Sequence, residues 1–376
     1  MRRSTHRILV SHARTTPRPT NIALPAAVKE VVKKQVEVGI DIVNDGELSK
    51  SNFTNYVRDR LAGITAADST ADQLPPRNIN ARDLREFREF FGSGGGGFGR
   101  NRPGAAPIAG RPTPMVVNGP ITYVGAATVQ ADIANLSAAL SELDADVEAF
   151  LPAVAPGTVE HWLYNQYYQT DEDFLFALAD ALHHEYKAIT DAGLNLQIDD
   201  PDLPDGWQMF PDMSVAEYRK YAALRVEAIN HALRDVPLEQ VRLHVCWGSG
   251  LGPHKNDIDL GDIVDIILRV NAQVYSIEAA NPRHQHEWRV WQDVKLPDGK
   301  SFMPGVISHA TDIVEHPRLV ADRLVQYARL VGKENVIAGT DCGVGSRVWN
   351  GEIAWAKFAA MAEGARIASA ELWGHQ

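Results

Sequence analysis

The fold this sequence predicts is of the α/β class, a (β/α)8 TIM barrel with insertions, and three observations lead there. Nine short apolar runs rich in β-branched residues recur along the 376 residues. Amphipathic stretches of helical period separate most of them, and that alternation is the signature of parallel βαβ units. Eight such units close a barrel, and the length suits that fold with room for insertions.

The runs lie at 7–12, 40–44, 115–118, 150–155, 194–199, 241–246, 273–278, 303–308 and 335–340, each ending in Gly, Asp or a polar turn. Helical patterns stand between them at 26–38, 171–192, 215–234, 260–270 and 317–331. The run at 115–118 is the surplus one. Pro112, Pro114 and Pro120 bracket it, and a residue without an N–H suits a strand end or edge, so it is predicted to be an accessory strand or hairpin. A doubly wound open sheet is the runner-up, disfavoured because no Gly-x-Gly-x-x-Gly opens a helix after the first run. A Gly-rich tract around 92–112 is predicted to be a flexible surface insertion, since it lacks the Gly-Lys-Ser/Thr ending of a phosphate loop. No linker divides two composition classes, so 1–376 is read as a single catalytic barrel.

Composition narrows the partners. With 37 Lys+Arg against 48 Asp+Glu the formal charge is −11, which gives no footprint for nucleic acid. No apolar run approaches the roughly 20 residues of a membrane helix, and the N-terminus does not lead into a signal-peptide pattern. The expectation is a cytoplasmic protein that acts on small molecules, with a homo-oligomer as an open option. Two cysteines, Cys246 and Cys342, permit at most one disulfide, and a reducing compartment disfavours it.

The sharpest chemical signal is His244-Val245-Cys246 at the end of a run. Residues i and i+2 of a strand point the same way, so imidazole and thiol converge. Glu278 and Cys342 end later runs, and a barrel brings strand ends to one rim. One His, two Cys and one Glu make a tetrahedral zinc set; the competing reading is ordinary packing of a buried His-x-Cys pair. Asn281-Pro282-Arg283-His284-Gln285-His286 offers a second, weaker metal pair in His284 and His286, with no thiol to match.

Taken together, Val43-Asn44-Asp45-Gly46-Glu47, Leu196-Gln197-Ile198-Asp199-Asp200-Pro201, His244-Val245-Cys246, Ser276-Ile277-Glu278 and Thr340-Asp341-Cys342-Gly343 resemble the successive strand-end motifs of the cobalamin-independent methionine synthase superfamily. They occur in the same order over nearly the whole chain. The resemblance implies a catalytic Zn2+ on His244, Cys246, Glu278 and Cys342, and carboxylates at Glu47 and Asp199 that hold the amino group of homocysteine. It also implies substrate contacts at His12, Thr15 and Trp162, the last in the place of a pterin-contacting tryptophan. One segment departs from the pattern. Where relatives have Gly-Ser after a Thr-His, this chain has Arg14-Thr15 after Ser11-His12-Ala13, and a guanidinium there suits a sulfonate or another strong anion.

The function expected is a zinc-dependent transferase that alkylates the thiolate of a small anionic thiol. The first specific expectation is the epoxyalkane:coenzyme M transferase type, a lyase in reverse, from the single-barrel branch of the superfamily. The alternative is cobalamin-independent methyl transfer from 5-methyltetrahydrofolate or another donor to homocysteine. A third reading, of another class, is a non-catalytic barrel with structural zinc. His309, after the run at 303–308, is the expected acid for the leaving group; it stands one residue from the family's acidic histidine, whose place is taken by Ala310.

Overall fold

The apolar runs fold as short strands buried on both faces, as a parallel sheet covered by helices requires. The computed structural model describes residues 1–52, 55–67, 74, 77–93, 114–248, 250, 252–345, 347–348 and 350–374. Among these the strands are β1 (Leu9–Val10), β2 (Ile42–Val43), β3 (Leu61–Ala66), β4 (Met115–Tyr123), β5 (Glu148–Val154), β6 (Leu163–Asn165), β7 (Asn195–Asp199), β8 (Val241–Val245), β9 (Val274–Ile277), β10 (Ser301–Ile307) and β11 (Ile337–Thr340).

Eight of them form one sheet in the order β1-β11-β10-β9-β8-β7-β5-β2, every pair parallel. A parallel bridge from Ser11, just past β1, to Ile42 joins the outer strands and closes the barrel. The eight strands coincide with the eight predicted runs. The surplus run begins β4, which pairs antiparallel with β3 and parallel with β6 in a separate three-stranded sheet. Arg60, just before β3, anchors that sheet to the helical layer through buried ion pairs with Asp132 and with Glu185 at 3.0 Å.

The helices start where the chain supplies caps. Thr170 accepts from the Asp173 amide at the head of helix Asp171–Asp191, and Ser214 with Glu217 forms a capping box at helix Val215–Ala232. Each such cap contributes about 1 kcal/mol by satisfying amides that the first turn leaves unpaired. Helix Leu24–Glu37 opens with a proline in its first turn, where a missing N–H costs nothing.

Two apolar layers hold the barrel. The larger lies between strands and helices. The smaller is an interior plug to which Leu9, Ile42, Phe150, Val274, Met303 and Ile337 contribute, one from each of six strands. Above the plug Arg242 crosses the barrel, 3.9 Å from the Phe150 ring centre. It donates to Gln197 Oε1 (2.7 Å), Ser11 Oγ (2.8 Å) and the His12 carbonyl (3.1 Å). The apolar filling thus ends here, and the mouth of the barrel begins in polar residues. Of the predicted Gly-rich insertion only Gly92, ending helix Arg88–Gly92, and Ser93 belong to the described residues; 94–112 lies outside them. No helix among the described residues is long and apolar enough to cross a membrane.

Candidate functional site

Strand register builds the centre of the site. On β8, Arg242 and His244 alternate inward and Cys246 follows just past the strand end. His244 pairs with Ser276 of β9, and its Nδ1 lies 3.0 Å from Ser276 Oγ. Cys342 follows β11 by two residues. Its carbonyl accepts from Thr340 Oγ1 (2.8 Å), which itself accepts from the Ala13 amide (2.9 Å), so the ends of β11 and β1 are laced together. Gly343 allows this close approach, because a Cβ there would collide with Thr15 Oγ1.

One ring nitrogen of His244 and the sulfurs of Cys246 and Cys342 lie within 4.8 Å of one another, all three residues buried. The thiol of Cys246 donates to Cys342 Sγ at 3.7 Å. That hydrogen bond holds Cys342 well below the usual thiol range, against burial and with help from the Arg14 guanidinium, and it pushes Cys246 up. His244 Nε2 is buried with no hydrogen-bond partner. In the tautomer that donates Nδ1–H to Ser276, Nε2 carries a lone pair, and an imidazole nitrogen so placed beside two sulfurs is a borderline-soft donor set suited to Zn2+.

Glu278 ends β9 on the neighbouring strand, but it is not in that trio. Its Oε2 accepts from the Trp247 amide (2.8 Å) and its Oε1 from Asn281 Nδ2 (2.6 Å). Its carboxylate groups instead with His309 and Asp341, again within 4.8 Å and fully buried. Burial and the neighbouring Asp341 push Glu278 up to about 8.

A cavity reaches both cysteines. Arg14 and Trp162, from the predicted substrate set, line it, together with Thr158, His161, Asp202 and Asp205, which sequence reasoning missed. Arg14 is buried with its Nε 3.7 Å from Glu47 Oε2 and its Nη1 3.7 Å from Asp199 Oδ2. It therefore stands between the two carboxylates that were expected to receive a substrate ammonium. Asp199 also accepts from Gln197 Nε2 (2.6 Å); burial pushes it up to about 6 while Arg14 pulls the other way. Glu47 takes its place through a left-handed turn, φ +70° at Gly46 and +55° at Glu47 itself. Such a conformation is uncommon in a side-chain-bearing residue and concentrates at functional turns.

Three predicted residues are placed elsewhere. His12 is not among the residues lining the cavity: its Nε2 lies 2.8 Å from Gln35 Oε1 of helix Leu24–Glu37, and the ring packs edge-on to Phe150 and Phe358. Burial lowers it to about 4, so it is neutral. Thr15 packs on Gly343 rather than lining the cavity. His309, the expected acid, sits in the Glu278–Asp341 group, with burial lowering its proton affinity, and does not line the cavity either. The pair His284 and His286 does not form a metal site, because both ring nitrogens of His284 are engaged, by Asp257 Oδ2 (3.1 Å) and Glu287 Oε2 (3.0 Å).

Residues 109–366 match the family model for the catalytic domain of cobalamin-independent synthase. The chain belongs to the cobalamin-independent synthase family. Among family relatives, a methionine synthase of Saccharolobus solfataricus is 26% identical over 220 residues, which are 58% of this chain and 57% of that protein. One of Thermococcus kodakarensis is 25% identical over 350 residues, 91% of this chain and 82% of that one. The chain thus spans little more than half the length of the first of these. A solved B12-independent methionine synthase from Shewanella sp. W3-18-1, in complex with selenomethionine, superposes with a TM-score of 0.73 at 20% identity, covering 98% of this chain and all of that one, which establishes the common fold.

Proposed function

We propose that this chain is a zinc-dependent transferase that moves a methyl or other alkyl group onto the sulfur of a small thiol. The observation that carries the reading is the convergence of the unpartnered His244 Nε2 with the sulfurs of Cys246 and Cys342 at the end of a cavity. His244, Cys246 and Cys342 would hold Zn2+, with Glu278 from the adjacent strand end as the fourth ligand once it turns from Trp247 and Asn281. Zn2+ bound there would stabilise an incoming thiol as its thiolate near neutral pH, and two Cys and one Glu leave the ligand set anionic, so the sulfur stays nucleophilic.

This chain's own residues supply orientation. Ser276 fixes the His244 ring, and Arg14 lines the cavity with Glu47 and Asp199 buried against its guanidinium, so the thiol's polar end would meet a charge held by two carboxylates. Homocysteine is the preferred acceptor, because the relatives that share most of this chain are methionine synthases. That favours the methionine synthase type over the epoxide and coenzyme M type. One observation supports the second type: Arg14 already pairs with both Glu47 and Asp199, so an anionic thiol without an ammonium group meets a compensated wall.

Calorimetric titration of the zinc-loaded chain with homocysteine and with coenzyme M, followed by transfer from 5-methyltetrahydrofolate or an aliphatic epoxide, tests the reading. Binding of one thiol with alkylation of its sulfur supports it. Stoichiometric zinc with no thiol binding supports a structural metal instead.

A further inference from the structure

The cavity has a second group of lining side chains, which the thiolate chemistry leaves without a task. His161 ends the short helix Pro156–His161 after β5, and Asp202 begins helix Asp202–Met209 after β7; these strands are neighbours in the barrel. His161 is 6% exposed and Asp202 1%. His161 Nε2 is hydrogen-bonded to Asp202 Oδ1 and lies 2.5 Å from Tyr221 Oη, which donates to the same carboxylate oxygen at 3.1 Å. The other Asp202 oxygen is 3.6 Å from Arg225 Nε, and Arg225 is also paired with Glu160. Burial works against the Asp202 charge, but His161 and Arg225 outweigh it and keep the carboxylate ionised. His161 Nδ1 has no hydrogen-bond partner among the described residues, while the ring lines the same cavity as Cys246 and Cys342.

A carboxylate that grips one imidazole nitrogen fixes the ring's orientation and stabilises its protonated form, so the other nitrogen is poised to give or take a proton. Alkyl transfer to sulfur calls for such a group whenever the departing atom is basic. An amine nitrogen or an alkoxide oxygen is a poor leaving group without a proton, whereas a thioether leaves a sulfonium as a neutral molecule. We propose that His161 is the proton donor to the leaving atom of the alkyl donor, with Asp202 and Tyr221 as positioning residues, and that the donor is one whose leaving atom is nitrogen or oxygen. The proposal rests on the alkyl-transfer reading above.

The step balances. The thiolate sulfur forms the S–C bond, the bond from carbon to the leaving atom breaks, its electron pair stays on that atom, and the proton from His161 Nδ1 neutralises it. The proton lost by the next thiol returns to His161. Overall, thiol and donor become thioether and protonated leaving group. The charges around the ring are Asp202, Arg225 and Glu160, with Arg77 on the His161 carbonyl and Asp205 in the same cavity wall.

The test compares donors in the full, zinc-loaded chain. With 5-methyltetrahydrofolate or an aliphatic epoxide, whichever the wild type accepts, His161→Gln should slow turnover by about 100-fold or more. With trimethylsulfonium it should change the rate less than about 3-fold. Zinc content and calorimetric thiol affinity should stay as in wild type. Turnover with the basic-leaving donor should fall on the alkaline side of its pH profile, a limb that His161→Gln abolishes and Asp202→Asn displaces. If the wild type does not use the sulfonium, that limb decides. Equal losses with both donor types, no loss with either, or a limb untouched by both substitutions would overturn the assignment of His161 while leaving alkyl transfer intact. A wild type that alkylates no thiol from any of these donors would overturn the underlying reading, and this one with it.

Discussion

The two poles of the cavity are built by different rules. The sulfur pole is made by strand register: His244 and Cys246 share a side of β8 by period two, and Cys342 and Glu278 stand at the ends of β11 and β9. The His161 pole is made by helix ends, where the direction of a side chain depends on where one helix stops and another starts. Register is fixed by the barrel's hydrogen bonds, so the backbone positions of the sulfur pole are set before anything binds, and only the Glu278 side chain has to turn. The opposite pole depends on a chain of side-chain ion pairs and hydrogen bonds from Glu160 through Arg225 and Asp202 to His161. Precision for the nucleophile and adjustability for proton transfer are thereby assigned to different parts of the fold.

The largest effect that should separate the poles is loss of metal. Cys246→Ala and Cys342→Ala are each expected to abolish stoichiometric zinc, read by elemental analysis, and all alkylation, because two remaining ligands from this trio are too few. His161→Gln should leave zinc untouched. Full zinc in either cysteine variant would show that the sulfur pole is packing and not a metal centre.

Next in size is Arg14, which lines the same cavity. Arg14→Ala should weaken binding of an anionic thiol by about 1.5–3 kcal/mol, the range for a hydrogen bond to a charged group. Arg14→Lys should recover only part, since an ammonium lacks the planar two-donor fork. Because the guanidinium stands 3.7 Å from both Glu47 and Asp199, its removal takes a cation from Asp199 and leaves Glu47 with Lys50 (3.5 Å), and homocysteine affinity should hold or improve in the same variant. Calorimetry with both thiols reads the pair of changes. Weakened homocysteine binding would mean that the carboxylates do not receive its ammonium.

A smaller effect is expected from Ser276→Ala. It leaves His244 in place but loosens its ring, and outer hydrogen-bond partners of metal ligands are worth about 10–100-fold in affinity. Competition against a chelator should show zinc affinity lowered by about 10-fold, with unchanged stoichiometry.

The smallest effect is graded with pH and concerns the loop that carries the chain away from Cys246. Trp247 stacks on His284 at 4.0 Å, and Asp257 Oδ2 bonds both His254 (2.9 Å) and His284 (3.1 Å). Burial opposes charge on both rings, but the hydrogen bonds to Asp257 outweigh it, raising His254 to about 9 and His284 to about 10. Groups raised on folding stabilise fully below their unfolded value, near 6.5, and lose that contribution as pH rises through the folded values. The thermal midpoint should therefore decline between about pH 6.5 and 10, and His254→Gln should flatten the decline. A midpoint independent of pH across that window would show that the imidazoles are not charged in the fold.

What the sequence made legible follows the same division. Eight parallel strands could be placed because a strand buried on both faces must be a short, nearly continuous apolar run, and the His244-x-Cys246 spacing is itself a statement about side-chain direction. His12 was expected at the substrate from the resemblance alone, and strand alternation explains its present contacts: Ser11 points into the barrel to meet Arg242, and the next side chain turns to Gln35. The partners of Arg14 and the present hydrogen bonds of Glu278 depend on side-chain rotamers that no spacing encodes. His161 and Asp202 are 41 residues apart with no periodic relation, and only the adjacency of β5 and β7 makes them neighbours. Even so, Asp202 follows the Asp200-Pro201 strand end, and His161 directly precedes Trp162.

The central claim, a zinc centre that takes up a substrate sulfur, is tested most directly by X-ray absorption at the zinc edge on the loaded chain before and after saturation with homocysteine or coenzyme M. The account predicts two sulfur ligands, from Cys246 and Cys342, becoming three as the thiol enters and an oxygen or nitrogen ligand leaves. A first shell unchanged at saturating concentrations of either thiol would contradict it.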